Sequence, residues 1–82
     1  MKNQIYVVTE IVENTPYVNM YRIRKNALKH IDILVSEYAE GCGDEKKKER
    51  QMRKEILKNS GYSDGDGYGI FFVVKNIWED AN

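Results

Sequence analysis

One cysteine, one proline, one histidine and one tryptophan are all that this 82-residue chain contains of each. The lone Cys42 excludes an intramolecular disulfide and a cysteine-based zinc site, and favours a reducing, intracellular setting. Net charge is absent as well, because 13 Lys and Arg balance 13 Asp and Glu. That balance argues against a globally basic nucleic-acid binder and equally against a wholly acidic DNA mimic, so any electrostatic function must rest on local asymmetry. No apolar run approaches the length of a membrane span. The opening Met1-Lys2-Asn3-Gln4 runs straight into strand-like residues without the apolar core of a signal peptide. A cytoplasmic protein with no membrane contact is expected.

What is present reads as one folded domain, residues 1–82, with 41% hydrophobic and 32% charged residues. A domain of this size buries only about 60–65% of its unfolded surface and has little room for a deep pocket. The chain is organised around Gly67 to Trp78, where Ile70, Phe71, Phe72, Val73, Val74 and Ile77 are interrupted only by Lys75 and Asn76. β-Branched and aromatic residues of this density suit a strand, and the Gly/Asp-rich Ser63–Gly67 stretch bounds it. Upstream, Gln4 to Val12 alternates Ile5, Val7, Thr9 and Ile11 against Tyr6, Val8, Glu10 and Val12. Glu13-Asn14-Thr15-Pro16 carries turn chemistry, and Tyr17 to Ile23 alternates again, which predicts a hairpin with a loop of about four residues.

From about Arg24 the period lengthens. Ala27, Ile31, Leu34, Val35 and Tyr38 form the stripe of an amphipathic helix, with Leu28 at its margin and Lys25, Lys29, Asp32, Ser36 and Glu37 outside. Gly41-Cys42-Gly43 ends it. Asp44 is the expected N-cap of a second helix, Glu45 to Asn59, with Gly61 as its stop. The expected fold is α+β: a three-stranded antiparallel sheet in the order β-β-α-α-β, its first strand central, with two helices on one face. The other face has little to cover it and is a candidate partner surface or dimer interface.

The second helix is the most distinctive feature. At 100° per residue Lys46, Lys47, Arg50, Arg53, Lys54 and Lys58 fall within an arc of roughly 140°, opposite Met52 and Ile56. A basic ridge with an apolar underside suits phosphates or an acidic protein patch, since each Lys or Arg neutralises a phosphate and releases a counterion. The plainer reading is a solvated, helix-favouring face with an i,i+4 pair from Glu49 to Arg53. The ridge lacks interleaved aromatics, so single-strand stacking is not indicated.

Other motifs carry less. Ser63-Asp64-Gly65-Asp66-Gly67-Tyr68-Gly69 matches the first positions of a calcium loop, but Lys75 stands where a bidentate Glu belongs and a strand follows. No helix N-terminus follows it to make a phosphate loop. His30, flanking the buried stripe, has no serine or cysteine paired with it by motif, and Cys42 between two glycines is expected to be exposed. No catalysis, metal or cofactor is expected. Six tyrosines and Trp78 exceed what so small a core can use, which makes Tyr17, Tyr21, Tyr62 and Trp78 candidate contact residues.

Ile5-Tyr6-Val7-Val8-Thr9-Glu10, the strand ending Met20-Tyr21, and Arg24-Lys25-Asn26-Ala27-Leu28 together resemble small phage and prophage accessory proteins that join a hairpin to a helix and a closing strand. The resemblance covers about the first third of the chain. In size and style the chain is also similar to anti-CRISPR inhibitors, with no shared motif, so no functional residues carry over. The resemblance implies a binding protein that acts by stoichiometric contact, concretely a phage-type inhibitor of a host defence nucleoprotein. The surface offered is Lys46, Lys47, Arg50, Arg53, Lys54 and Lys58 with Tyr21 and Trp78. A protein or nucleoprotein partner is expected. The alternatives are a nucleic-acid-binding module using the basic helix and a small structural or homodimeric protein. Acidic residues at Glu37, Glu40, Asp64, Asp66, Glu79 and Asp80 would repel a long duplex.

Overall fold

Two residues, not four, turn the first hairpin. Val12 pairs with Thr15, and Glu13 and Asn14 between them both take positive φ, 51° and 65°. That is the backbone of a type I′ turn, whose twist matches the flanking strands. Pro16, expected in the turn, lies inside the second strand opposite Ile11. It is tolerated there because that strand is an edge, where a missing N–H need not be supplied to a neighbour.

The computed structural model describes the backbone of residues 2–78 and the side chains of residues 3–77. In chain order the elements are β1 (Lys2–Val12), β2 (Thr15–Tyr21), α1 (Arg24–Ala39), α2 (Glu45–Asn59), β3 (Gly61–Ser63) and β4 (Gly69–Trp78). They form a two-layer α+β arrangement in which the antiparallel sheet runs β2-β1-β4-β3. β1 is central and β4 lies beside it, as expected from the sequence. The sheet has four strands rather than three.

The fourth strand, β3, begins at Gly61, the residue that reads as the stop of the second helix. Ser60 takes the left-handed cap instead (φ 65°, ψ 10°), which releases Gly61 to pair with Phe71. Glycine is required at this strand position because a Cβ on Gly61 would sit inside the Phe71 ring, and one on Gly69 would lie 2.8 Å from the ring's other edge. The aromatic ring therefore covers two glycines on adjacent strands, a known way to stabilise glycine in a sheet.

Alternation along the strands decides which face is covered. Val8, Ile70, Phe72 and Tyr62 point toward the helices and are buried with Ala27, Ile31, Leu34 and Val35 of α1 and Met52 and Ile56 of α2. Full burial of one such aliphatic side chain contributes about 1.5–3 kcal/mol. The α1 stripe is as expected, with Tyr38 and Leu28 packed at its margin. On α2, Met52 and Ile56 are buried as their angular position requires, whereas Leu57 is 47% exposed. Asp44 caps α2 by accepting a hydrogen bond from the Lys47 N–H at 3.1 Å, an arrangement worth about 1 kcal/mol.

Candidate binding surfaces

α2 presents the basic ridge outward. Lys46, Lys47, Arg50, Lys54 and Lys58 are exposed, held on a helix whose underside is locked by Met52 and Ile56. Arg53 is drawn out of the set. Its Nε donates to Asp32 of α1 at 2.7 Å, the one salt bridge among the described residues. Lys48, outside the arc, lies over the Tyr62 ring at 5.1 Å, a cation–π contact. Leu57 falls within the basic arc by its angular position and borders a groove of about 450 Å³ with Arg24, Ile56, Ser60, Phe72 and Val74. The ridge thus carries one apolar spot at its C-terminal end.

α1 carries exposed Arg24, Lys25 and Lys29 in its first half and the opposite charge only toward its C-terminal end. Asp32, Glu37 and Glu40 are exposed around Ile33. The helix layer is therefore basic along α2 and acidic only over the C-terminal half of α1, and the Arg53–Asp32 pair links the two. This local asymmetry is how a chain of zero net charge keeps a cationic surface.

Most of the tyrosines are structural. The Tyr38 hydroxyl donates to Asp64 at 2.9 Å, and the Tyr68 hydroxyl donates to Glu10 at 3.1 Å. The rings of Tyr38 and Tyr68 stack at 4.5 Å, with Tyr62 edge-on to Tyr38 at 5.9 Å. Asp64 also accepts from the backbone N–H of Asp66 (2.7 Å) and of Tyr68 (3.3 Å). Its carboxyl is held below the usual range, first by the Asp66 N–H and then by the Tyr38 hydroxyl and the Tyr68 N–H. The partners respond in the opposite sense. Tyr38 is raised above the ordinary phenol range by its bond to Asp64 and by burial, and Tyr68 is raised by burial and by the Glu10 carboxylate. The Ser63–Gly69 loop is thereby tied to α1 and β1, and Gly67 O accepts from Asn14 N–H at 3.0 Å, which pins the hairpin turn as well. Among the described residues no group of three or more His, Cys, Asp or Glu is placed to hold a metal.

The expected contact residues divide accordingly. Tyr62 is buried in the core. Tyr21 faces the helix layer, half-buried, with its hydroxyl 3.0 Å from His30 Nδ1; it does not join the α2 ridge. Tyr17, on the same strand face but beyond the helices, is exposed. Trp78 enters β4 through its backbone, and its side chain lies outside the described residues, as do Glu79 and Asp80. His30 is satisfied by Tyr21, and Cys42 is half-buried with Sγ 3.9 Å from the Tyr38 carbonyl. The expected exposed thiol is thus partly covered, and the two groups have separate partners.

The reverse face of the sheet has no helix over it. Register places Met20, Val7 and Val73 in one row across three strands. Val18, Thr9, Phe71 and Gly61 form the next row, and Pro16, Ile11, Gly69 and Ser63 the row beyond. Val18 is 56%, Met20 68% and Val73 41% exposed. Contiguous apolar surface of this kind marks an interaction site more often than a scatter of single residues does. Among the described residues no helix is long and apolar enough to cross a membrane. No family model matches the chain, and neither does any curated protein or solved structure.

Proposed function

We propose that this protein is a non-enzymatic binding domain that acts by stoichiometric contact with an anionic macromolecular partner through the outer face of α2. The observation that supports this reading is a row of five exposed cations, Lys46, Lys47, Arg50, Lys54 and Lys58, on a helix fixed by its cap and its buried underside. Rigid presentation lowers the ordering cost of binding. Asp32, Glu37 and Glu40 at the C-terminal half of α1 disfavour a long polyanion lying across both helices, so an acidic protein patch or a nucleoprotein fits better than bare duplex. The concrete setting suggested by sequence resemblance is a phage-type inhibitor of a host defence nucleoprotein such as a CRISPR effector.

The test is charge reversal. Lys46, Lys47, Arg50 and Lys54 are replaced together by Glu, and binding is titrated against a short random duplex and against guide-loaded CRISPR effector complexes. The expected result is weak duplex binding by the parent, and binding to one effector that the reversals abolish without unfolding the domain. Tight duplex binding with a log–log salt slope of roughly −4 to −5, as about four to six phosphate contacts require, would instead make it a nucleic-acid-binding module. No effect of the reversals on any binding would leave the ridge a solvated face.

A further inference from the structure

The open sheet face is an interaction surface independent of α2, and we infer that its partner is a second copy of this chain, packed face to face about a two-fold axis. The chemistry of the face comes first. Among the described residues of the paired strands, Lys75 is the one charged group that alternation places on it, and the rows through Val7, Thr9 and Ile11 are neutral throughout. A surface with so little charge offers nothing to steer or orient a charged partner, whereas a flat apolar face is complementary to itself. Sheets pair in this way about 10 Å apart with strands within about 30° of alignment.

Area supports the same occupant. Ten paired positions along β1 and β4 give a face about 33 Å long, and three strands make it about 15 Å wide, a footprint of about 500 Å² before side-chain relief is counted. Two footprints bring the pair to about 1,000 Å², the size that a specific interface must reach.

The register selects the axis. An axis across the strands through the Val7 row turns each β4 end for end, so the position of Lys75 falls over Phe71 of the second copy, two residues to the other side of Val73. The lone charge is then met by an aromatic ring, a cation–π geometry, and the two lysines stay apart. An axis along the strands would set Lys75 toward Arg22, beyond the end of β2 in the second copy, and like charges would repel.

Sedimentation velocity on the whole chain from micromolar to near-millimolar concentration tests the inference without any substitution. The expected result is a reversible monomer–dimer equilibrium. Met20→Glu with Val73→Glu, at exposed positions, should weaken association by about a hundredfold or more while the circular dichroism is unchanged, because each copy brings two charges into the interface. In a Cys42→Ser background, Val7→Cys should cross-link as a dimer through a short bifunctional thiol reagent, because face-to-face sheets about 10 Å apart leave the two thiols too distant for a direct disulfide, and Glu37→Cys should not. A chain that stays monomeric at every concentration overturns the inference. So does a dimer that survives the double substitution, or one that cross-links through Glu37→Cys and not through Val7→Cys. The α2 reversals leave this equilibrium unchanged, so its failure and that of the binding ridge are distinguishable.

Discussion

Phe72→Ala is the sharpest test of the packing. Phe72 is 7% exposed, opposite Val8 in the register, and its ring stacks on Tyr6 at 6.3 Å. Truncating a buried phenylalanine costs about 3–5 kcal/mol, from lost transfer energy and from the cavity left behind. Two features place this site near the lower end. Phe72 borders the groove lined by Ile56 and Leu57, so water can enter the vacated space, and the Tyr6 ring can settle toward it. A loss of about 3 kcal/mol still removes a large part of the roughly 4–12 kcal/mol available to a domain of this length. For such a domain 1 kcal/mol corresponds to about 4–8 °C, so thermal unfolding followed by far-ultraviolet circular dichroism should show a midpoint lower by about 12 °C or more. In urea, with a slope of about 1 kcal/mol/M for a small domain, the midpoint should fall by about 3 M or the variant should be unfolded at the outset. A midpoint within about 0.5 M of the parent, at unchanged slope, would refute the placement of Phe72 between sheet and helices.

Two further outcomes concern the loop that the tyrosines hold. The Asp64 carboxyl is lowered by the Asp66 N–H and the Tyr38 hydroxyl, so its contribution is present above the unfolded value of about 3.9 and is lost as pH falls through the folded one. Tyr68 is raised by burial and by Glu10, so its contribution is present below the ordinary phenol value of about 10 and fades as pH rises through the folded one. Urea midpoints against pH should therefore flatten on the acid limb in Asp64→Asn and on the alkaline limb in Tyr68→Phe, and unchanged limbs would contradict both assignments. Cys42, half-buried against the Tyr38 carbonyl, should react with a thiol reagent severalfold more slowly in the native protein than in the urea-unfolded chain, and equal rates would mean that the segment is open.

Where chemistry is local, the sequence was legible. α2 runs from Glu45 to Asn59 behind Asp44, as its cap, its acidic first turn and its charge density imply. The hairpin and the α1 stripe follow from periodicity in the same way, whereas the placement of β4 beside β1 is a packing choice that no periodicity determines. What escaped is decided by distant partners. β3 has only three residues, too few to show an alternation, and it is a strand because Gly69–Phe71 pairs with it. Gly61 was the natural helix stop until Phe71 claimed its bare face, leaving Ser60 to take the left-handed turn. Pro16 reads as a turn unless it is known that β2 is an edge. The tyrosines show the same limit, because Tyr21 finds His30 nine residues on and Tyr68 finds Glu10 fifty-eight residues back. No spacing rule links such pairs, so rings that looked surplus to the core became its fastenings.

The two surfaces lie on opposite sides of the molecule, and this determines how they combine. α2 packs on the helix side of the sheet, and the rows through Val7 and Thr9 lie on the reverse. Pairing through the sheet therefore leaves both basic ridges outward, joined by a rigid sandwich rather than by a linker. A rigid connection fixes the spacing of the two ridges, so a second contact adds affinity only to a partner whose acidic sites match that spacing, and adds none where geometry forbids it. Dissolving the dimer with Met20→Glu and Val73→Glu would then reduce binding to a two-site partner while leaving each single-site contact intact. That separation follows from which side chains alternate to which face of β1 and β4. In this chain one face carries the core against α1 and α2, and among the described residues no helix covers the other.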